Sequence, residues 1–194
     1  AKNQAFEIVV AEAFTADNKT DFSVQVQKAK DAGAELVFLP IYYQEASLIL
    51  NEADKQAYDA TFFGCDGLDG ILSVEGFDTA LAEGVMLLTP FVADEDKELT
   101  KNFVAAYNEA YGETPIQFAA DAYDVIYAIY EACVAGNVTA DMTAAEINAI
   151  LVAQFTSMSF NGLTGTNMTW GSNGEVSKMP TAVVIENGVY VTAA

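Results

Sequence analysis

Two short apolar runs organise the chain: Leu-Val-Phe-Leu at 36–39 and Thr-Phe-Phe at 61–63. Each is bounded by turn residues and is too short for a helix, which predicts buried strands. Between them Ala46, Ile49, Leu50, Ala53 and Ala57 recur at helical spacing. A strand–helix–strand unit favours a parallel sheet. Ligands of such sheets sit beyond the carboxyl ends of the strands. The residues placed there are Pro40, Ile41, Tyr42 and Tyr43 after the first strand. After the second come Cys65, Asp66, Gly67, Leu68 and Asp69.

The flanking pattern extends the picture. Residues 6–14 alternate and then run apolar through Phe6, Ile8, Val9 and Val10, which predicts a strand. Thr20 is placed to cap the next helix, with Asp21 in its first turn and Gly33 at its end. Residues 84–91 predict a further buried strand ended by Pro90. At Val92 the texture changes. A helix preceded by acids carries Leu99, Phe103, Ala106, Tyr107 and Ala110 and closes at Gly112. A second starts at Pro115, with Phe118, Ala122, Val125, Ile126, Ile129 and Cys133 as its apolar face. A third starts at Thr143, with Glu146 in capping-box spacing. The tail is strand-like, at 163–170, 181–185 and 189–192, with Glu186-Asn187-Gly188 as a hairpin turn.

Charge narrows the function. With 28 acids against 8 bases the formal charge is −20, which offers nucleic acid or an anionic membrane no basic face. Such a charge suits a soluble secreted or surface protein. The chain contains no histidine, so the commonest general base and metal ligand are missing. Cys65 and Cys133 lie far apart and form no Cys-x-x-Cys, so neither a zinc nor a redox motif is expected, and no metal or cofactor is implied. No apolar run reaches the length of a membrane span. The chain opens on Ala1 and shows no signal peptide, which predicts a processed or excised chain.

Each candidate group has two readings. Asp66 and Asp69 at a strand end offer carboxylates to a ligand cation, or Asp-Gly repeated twice makes turns. Tyr42 and Tyr43 line a pocket or pack as core and rim aromatics. Phe118, in the first turn of a helix, is a core or a site residue. None of the serines lies in Gly-x-Ser-x-Gly, and no phosphate loop is present. A glycosidase pair has no fixed separation here, and the acids miss the spacing of a calcium loop.

Taken in order, a series of short segments resembles the substrate-binding proteins of amino-acid ABC importers, of the leucine/isoleucine/valine-binding type. The series is Asp21-Phe22-Ser23, Tyr42-Tyr43-Gln44-Glu45-Ala46, Gly64-Cys65-Asp66-Gly67 and Ala82-Glu83-Gly84-Val85. It continues with Phe103-Val104-Ala105-Ala106-Tyr107, Ala122-Tyr123-Asp124, Gly162-Leu163-Thr164-Gly165-Thr166 and Asn173-Gly174. The resemblance covers essentially the whole chain and corresponds to the second half of such a protein.

It implies an α/β, periplasmic-binding-protein-like type I fold: a parallel, doubly wound sheet lobe plus helices of a second, incomplete lobe. Residues 1–91, with 171–194 returning, would form the C-terminal lobe, and 92–170 part of the N-terminal lobe. Tyr42 falls on the family's ring-contact position. Asp66 falls on its acidic position for the ligand ammonium, where many members carry Glu. Leu68 stands where relatives often carry tryptophan, and Phe118 on an aromatic position of the other lobe. The implied ligand site is thus Tyr42, Tyr43, Asp66, Leu68, Asp69 and Phe118. The implied function is non-catalytic: an extracytoplasmic protein captures an amino acid between two lobes and delivers it to a membrane permease. A sensor ectodomain of the same fold, or a hydrolase on an α/β scaffold, are the alternatives. The apolar helix 115–136 and a sheet short of one strand lead to the expectation of a homodimer of the chain.

Overall fold

The computed structural model describes residues 6–193. Among these the element order is α1 (Ser23–Asp31), β1 (Leu36–Leu39), α2 (Tyr43–Lys55), β2 (Thr61–Gly64), β3 (Met86–Thr89), α3 (Glu98–Tyr111), α4 (Gln117–Ala135), α5 (Ala144–Phe155), β4 (Thr181–Glu186) and β5 (Val189–Thr192). Short 3-10 turns at Asp66–Leu68, Ile71–Ser73 and Thr79–Ala82 link β2 to β3. The chain divides into two compact units, one of residues 1–89 and 182–194, the other of residues 90–181.

The first unit is a sheet in the order β1-β2-β3-β4-β5. β1 and β2 pair in parallel from Leu36 with Thr61 to Leu39 with Gly64, and β3 continues parallel to β2. β4 and β5 form the expected antiparallel hairpin. Asn187 and Gly188 both take positive φ there (53° and 75°), the conformation that the tight hairpin turn requires. The core holds Ile49, Leu50 and Ala53 of α2 together with Phe62, Leu87, Val183 and Ile185. The cap of α1 differs from expectation. Phe22 occupies the cap position, and the Asp21 carboxylate accepts the Ser23 N–H at 2.9 Å. Phe22 is instead buried, its ring edge-on to Phe14 at 5.1 Å.

The strand expected at 6–14 does not form. These residues join no ladder, and Phe6, Ile8 and Val9 are exposed. A strand obtains its hydrogen bonds only from a neighbour, so an apolar alternating pattern by itself is insufficient. β1 is consequently an edge strand, with Leu36 and Phe38 exposed on it.

The second unit is helical with an irregular meander. Gly112 (φ 75°) closes α3, and Thr143 and Glu146 form the expected capping box of α5. The expected strand at 163–170 is reduced to isolated bridges, Phe160 with Met168 and Trp170 with Val176. Residues 171–181 stay with this unit rather than returning to the first. The Gly171 N–H donates to the Glu175 carbonyl, the Ser177 N–H to the Thr169 carbonyl, and Lys178 pairs with Asp121 of α4 at 2.7 Å.

The buried face of α4 is also not the one its large apolar residues suggest. Gln117, Ala120, Asp124, Ala128 and Ala132 point inward. Val125, Ile126, Tyr130 and Val134 point outward, Ile126 being 66% and Tyr130 63% exposed. Small residues permit close approach: a Cβ on Gly136 would stand 2.2 Å from Ile150 Cγ2 of α5. Asp124 performs the polar part of the packing. Its carboxylate accepts the N–H of Leu163 (2.8 Å), the N–H of Thr164 (2.8 Å) and the Thr164 hydroxyl (2.7 Å). A Cβ at Gly162 would lie 2.4 Å from that carboxylate, so this position demands glycine. Two separate sequence segments, 122–124 and 162–166, are therefore one structural lock. Removing the carboxylate leaves three buried donors without an acceptor, at a cost of about 1–3 kcal/mol per group but not additively. Asp124→Ala is expected to lose about 3 kcal/mol of stability in urea unfolding; a loss below about 1 kcal/mol would contradict the lock.

Candidate functional site

The site begins where β1 and β2 end. Because the two strands run parallel in register, their following loops emerge side by side. The loop after β1 reaches Tyr42, which caps α2 in an extended conformation (ψ 160°). The loop after β2 turns at once into the 3-10 turn Asp66–Leu68, closed by Leu68 N–H to the Cys65 carbonyl at 3.1 Å and Asp69 N–H to the Asp66 carbonyl at 3.0 Å. Gly67 brings the loops into contact. A Cβ there would stand 2.5 Å from the Ile41 carbonyl oxygen and 3.5 Å from Tyr42 Cα. Any side chain at 67 would push the aromatic loop away from the acidic one.

The expected site residues separate by burial. Tyr42 is 64% exposed, Tyr43 half-buried, and Asp66 exposed. Leu68 has no exposed surface and covers Gly64, where a Cβ would meet Leu68 Cδ2 at 2.3 Å. Asp69 is 5% exposed. Packing thus accounts for Leu68 and Asp69, while Tyr42 and Asp66 are exposed on adjoining loops and Tyr43 opens α2 half-buried. Phe118 belongs to the second unit, in the first turn of α4, and is 36% exposed.

The electrostatics suit recognition more than bond breaking. Burial and the neighbouring Asp66 charge push the Cys65 thiol up, which keeps it protonated and a poor nucleophile. At the start of α2 the Lys19 ammonium lies 2.9 Å from Glu45 and holds that carboxyl below the usual range, leaving Asp66 as an acid outside this pair. Among the described residues no group of three or more His, Cys, Asp or Glu is placed to hold a metal ion. No described helix is long and apolar enough to cross a membrane. A concavity of about 460 Å³ lies at the opposite ends of β1 and β2, lined by Gly33, Glu35, Tyr58 and Thr61 among others. It is open and sits at the amino ends of the strands, the wrong end for a ligand of a parallel sheet.

A family model described as periplasmic binding protein matches residues 1–188. The chain belongs to the periplasmic binding protein family. No curated protein sequence matches it. Among solved structures, the branched-chain amino acid transporter substrate binding protein LivJ from Streptococcus pneumoniae, in complex with isoleucine, shares 26% identity at a TM-score of 0.79, over 99% of this chain and 54% of its own. The leucine binding protein LivK from Thermotoga maritima shares 23% identity at 0.74, over 90% of this chain and 48% of its own. An ABC transporter solute binding protein from R. palustris, in complex with benzoate, shares 17% at 0.74, over 90% and 46%. The chain spans about half the length of these structures. The α/β architecture is that of type I periplasmic binding proteins, and both the family and its solved neighbours are binding proteins rather than enzymes.

One residue of this site carried no signal in the sequence. Tyr190 of β5 accepts the Gly70 N–H on its phenolic oxygen at 3.0 Å, although 120 residues separate them. Burial, then the charge of Asp69, push the Tyr190 phenol up to about 12 from 10.0, against the opposing pull of the Gly70, Leu72 and Ile71 amides. The unfolded chain releases this proton near pH 10 and the folded chain near 12, so the neutral phenol supports folding below pH 10. That support is lost as pH rises from 10 towards 12, in total about 2–3 kcal/mol. Wild type is expected to lose more stability than Tyr190→Phe over that window, measured by urea unfolding at stepped pH. Parallel curves would refute the assignment.

Proposed function

We propose that this chain is part of the extracytoplasmic solute-binding component of an ABC importer, and that its ligand is an amino acid, of branched-chain or similar type. The observation that carries the reading is the juxtaposition of Tyr42 and Asp66 through the Gly67 contact with the 41–42 backbone. An exposed carboxylate beside aromatic surface accepts an ammonium by charge-assisted hydrogen bonding and opposes a bare carboxylate. It therefore favours an amino acid over benzoate, which the more distant R. palustris neighbour holds. The isoleucine bound by the LivJ relative supports the same choice. In this reading the first unit is the C-terminal lobe and the second is part of the N-terminal lobe, contributing Phe118. In the whole protein, ligand binding shifts a conformational equilibrium, and the loaded protein is read by a membrane permease. Leu68 and Asp69 shape the loop from within.

Removing one partner of a desolvated charge pair costs about 2–5 kcal/mol. Asp66→Ala, in a protein joining this chain to the half that its relatives possess beyond it, is therefore expected to weaken isoleucine binding by well over about tenfold. Calorimetry showing unchanged affinity would sink the reading.

For the chain by itself we propose self-association. Edge strand β1, with Leu36 and Phe38 exposed, offers a surface that a second copy can match by a two-fold axis. The outward face of α4 adds apolar area to bury. At −20 per copy the association opposes charge repulsion, so it should strengthen with salt. Light scattering after size exclusion is expected to show a dimer that grows with ionic strength. A monomer at every concentration and salt, without binding of a hydrophobic dye, would reject it.

A further inference from the structure

The loop that carries Asp66 has one face towards the ligand side and another towards the terminal hairpin. Its first part is a single 3-10 turn, Asp66–Leu68. A turn so short holds its own geometry poorly, since one or two internal hydrogen bonds fix it. Gly70 then reverses the chain with φ 107°, in the left-handed region, and Ile71 plugs into the core with no exposed surface. At that reversal the Gly70 N–H donates to the phenolic oxygen of Tyr190 at 3.0 Å. This bond ties the reversal to the terminal hairpin. Asp69, 5% exposed and close enough to act on the phenol by its charge, completes the group.

We infer that Tyr190 is a positioning residue for the ligand site: it reaches from β5 to anchor the 66–72 loop, and so sets where Asp66 presents its carboxylate beside Tyr42. The inference rests on the amino-acid reading for the word ligand, but the anchor itself does not. Ring packing cannot substitute for the oxygen, because the Gly70 amide needs an acceptor and the phenyl ring has none to offer it. Asp66 belongs to the same segment: the Asp69 N–H donates to its carbonyl at 3.0 Å, and Gly67 seats the turn against the Ile41 carbonyl. Freeing the Gly70 amide therefore loosens the segment that begins at Asp66. Tyr190→Phe isolates this role, since it keeps the ring and removes only the hydroxyl.

Two measurements test it, the first on the 194-residue chain and the second on the protein that joins it to the half its relatives possess beyond it. Amide hydrogen exchange is expected to show residues 66–72 exchanging at least about tenfold faster in Tyr190→Phe, with α2 and β2 unchanged after correction for global stability. An increase confined to no segment, or none at all, overturns the anchor. The second measurement follows the Asp66 and Gly67 amide resonances during titration with isoleucine. The expected result is a saturable shift in wild type, lost in Asp66→Asn, with the dissociation constant raised at least about fivefold in Tyr190→Phe. An unchanged constant in Tyr190→Phe overturns the positioning role. Wild type without any isoleucine response counts against the amino-acid reading, and the exchange experiment then decides the anchor by itself.

Discussion

Four parallel pairs, Leu36 with Thr61 through Leu39 with Gly64, bring β1 and β2 to a common end. That shared level is what makes the two following loops neighbours, and the close approach of Gly67 to the Ile41 carbonyl turns neighbours into one surface. Tyr42 and Asp66 are 24 positions apart in sequence and belong together only because of this ladder. The helix between the strands makes it possible, since a parallel pair needs a crossover of that length. α2 also supplies Ile49, Leu50 and Ala53 to the core beneath.

The second unit solves the same problem of burying backbone without a sheet. A meander of isolated bridges leaves amides that no ladder satisfies, and Asp124 accepts those of Leu163 and Thr164 directly from α4. The choice constrains the helix. A face that admits a carboxylate and close backbone must otherwise be small, hence Ala120, Ala128 and Ala132. The bulky residues are displaced to the opposite face, where Ile126 and Tyr130 stand exposed. The apolar amount on α4 thus reflects more than the packing of this unit requires.

Within the site loop, neighbouring residues have opposite duties. Asp66 faces out and Asp69 faces in, three positions apart around a turn. The inner acid lies beside Tyr190 and disfavours ionisation of its phenol, while the outer one is exposed. Cys65, raised by burial and by Asp66, is disarmed by the same crowding.

Much was legible in the sequence. Strand–helix–strand order, the parallel sheet, the capping box at Thr143 and Glu146, and the Asn187-Gly188 hairpin follow from local chemistry: side-chain period, caps and backbone freedom act within a few residues. The strand at 6–14, the strand at 163–170 and the inward face of α4 did not, because each depends on a partner. A ladder needs a neighbour, and a helix face is buried only where something lies against it. The candidate site was divided along the same line. The strand–helix–strand pattern put Tyr42 and Asp66 on adjoining loops, since parallel strands in register end at one level. Only the folded chain showed that Leu68 and Asp69 turn inward, that Gly67 must lack a side chain, and that Tyr190, 120 residues beyond Gly70, accepts its amide. Contacts over that distance leave no periodicity to read.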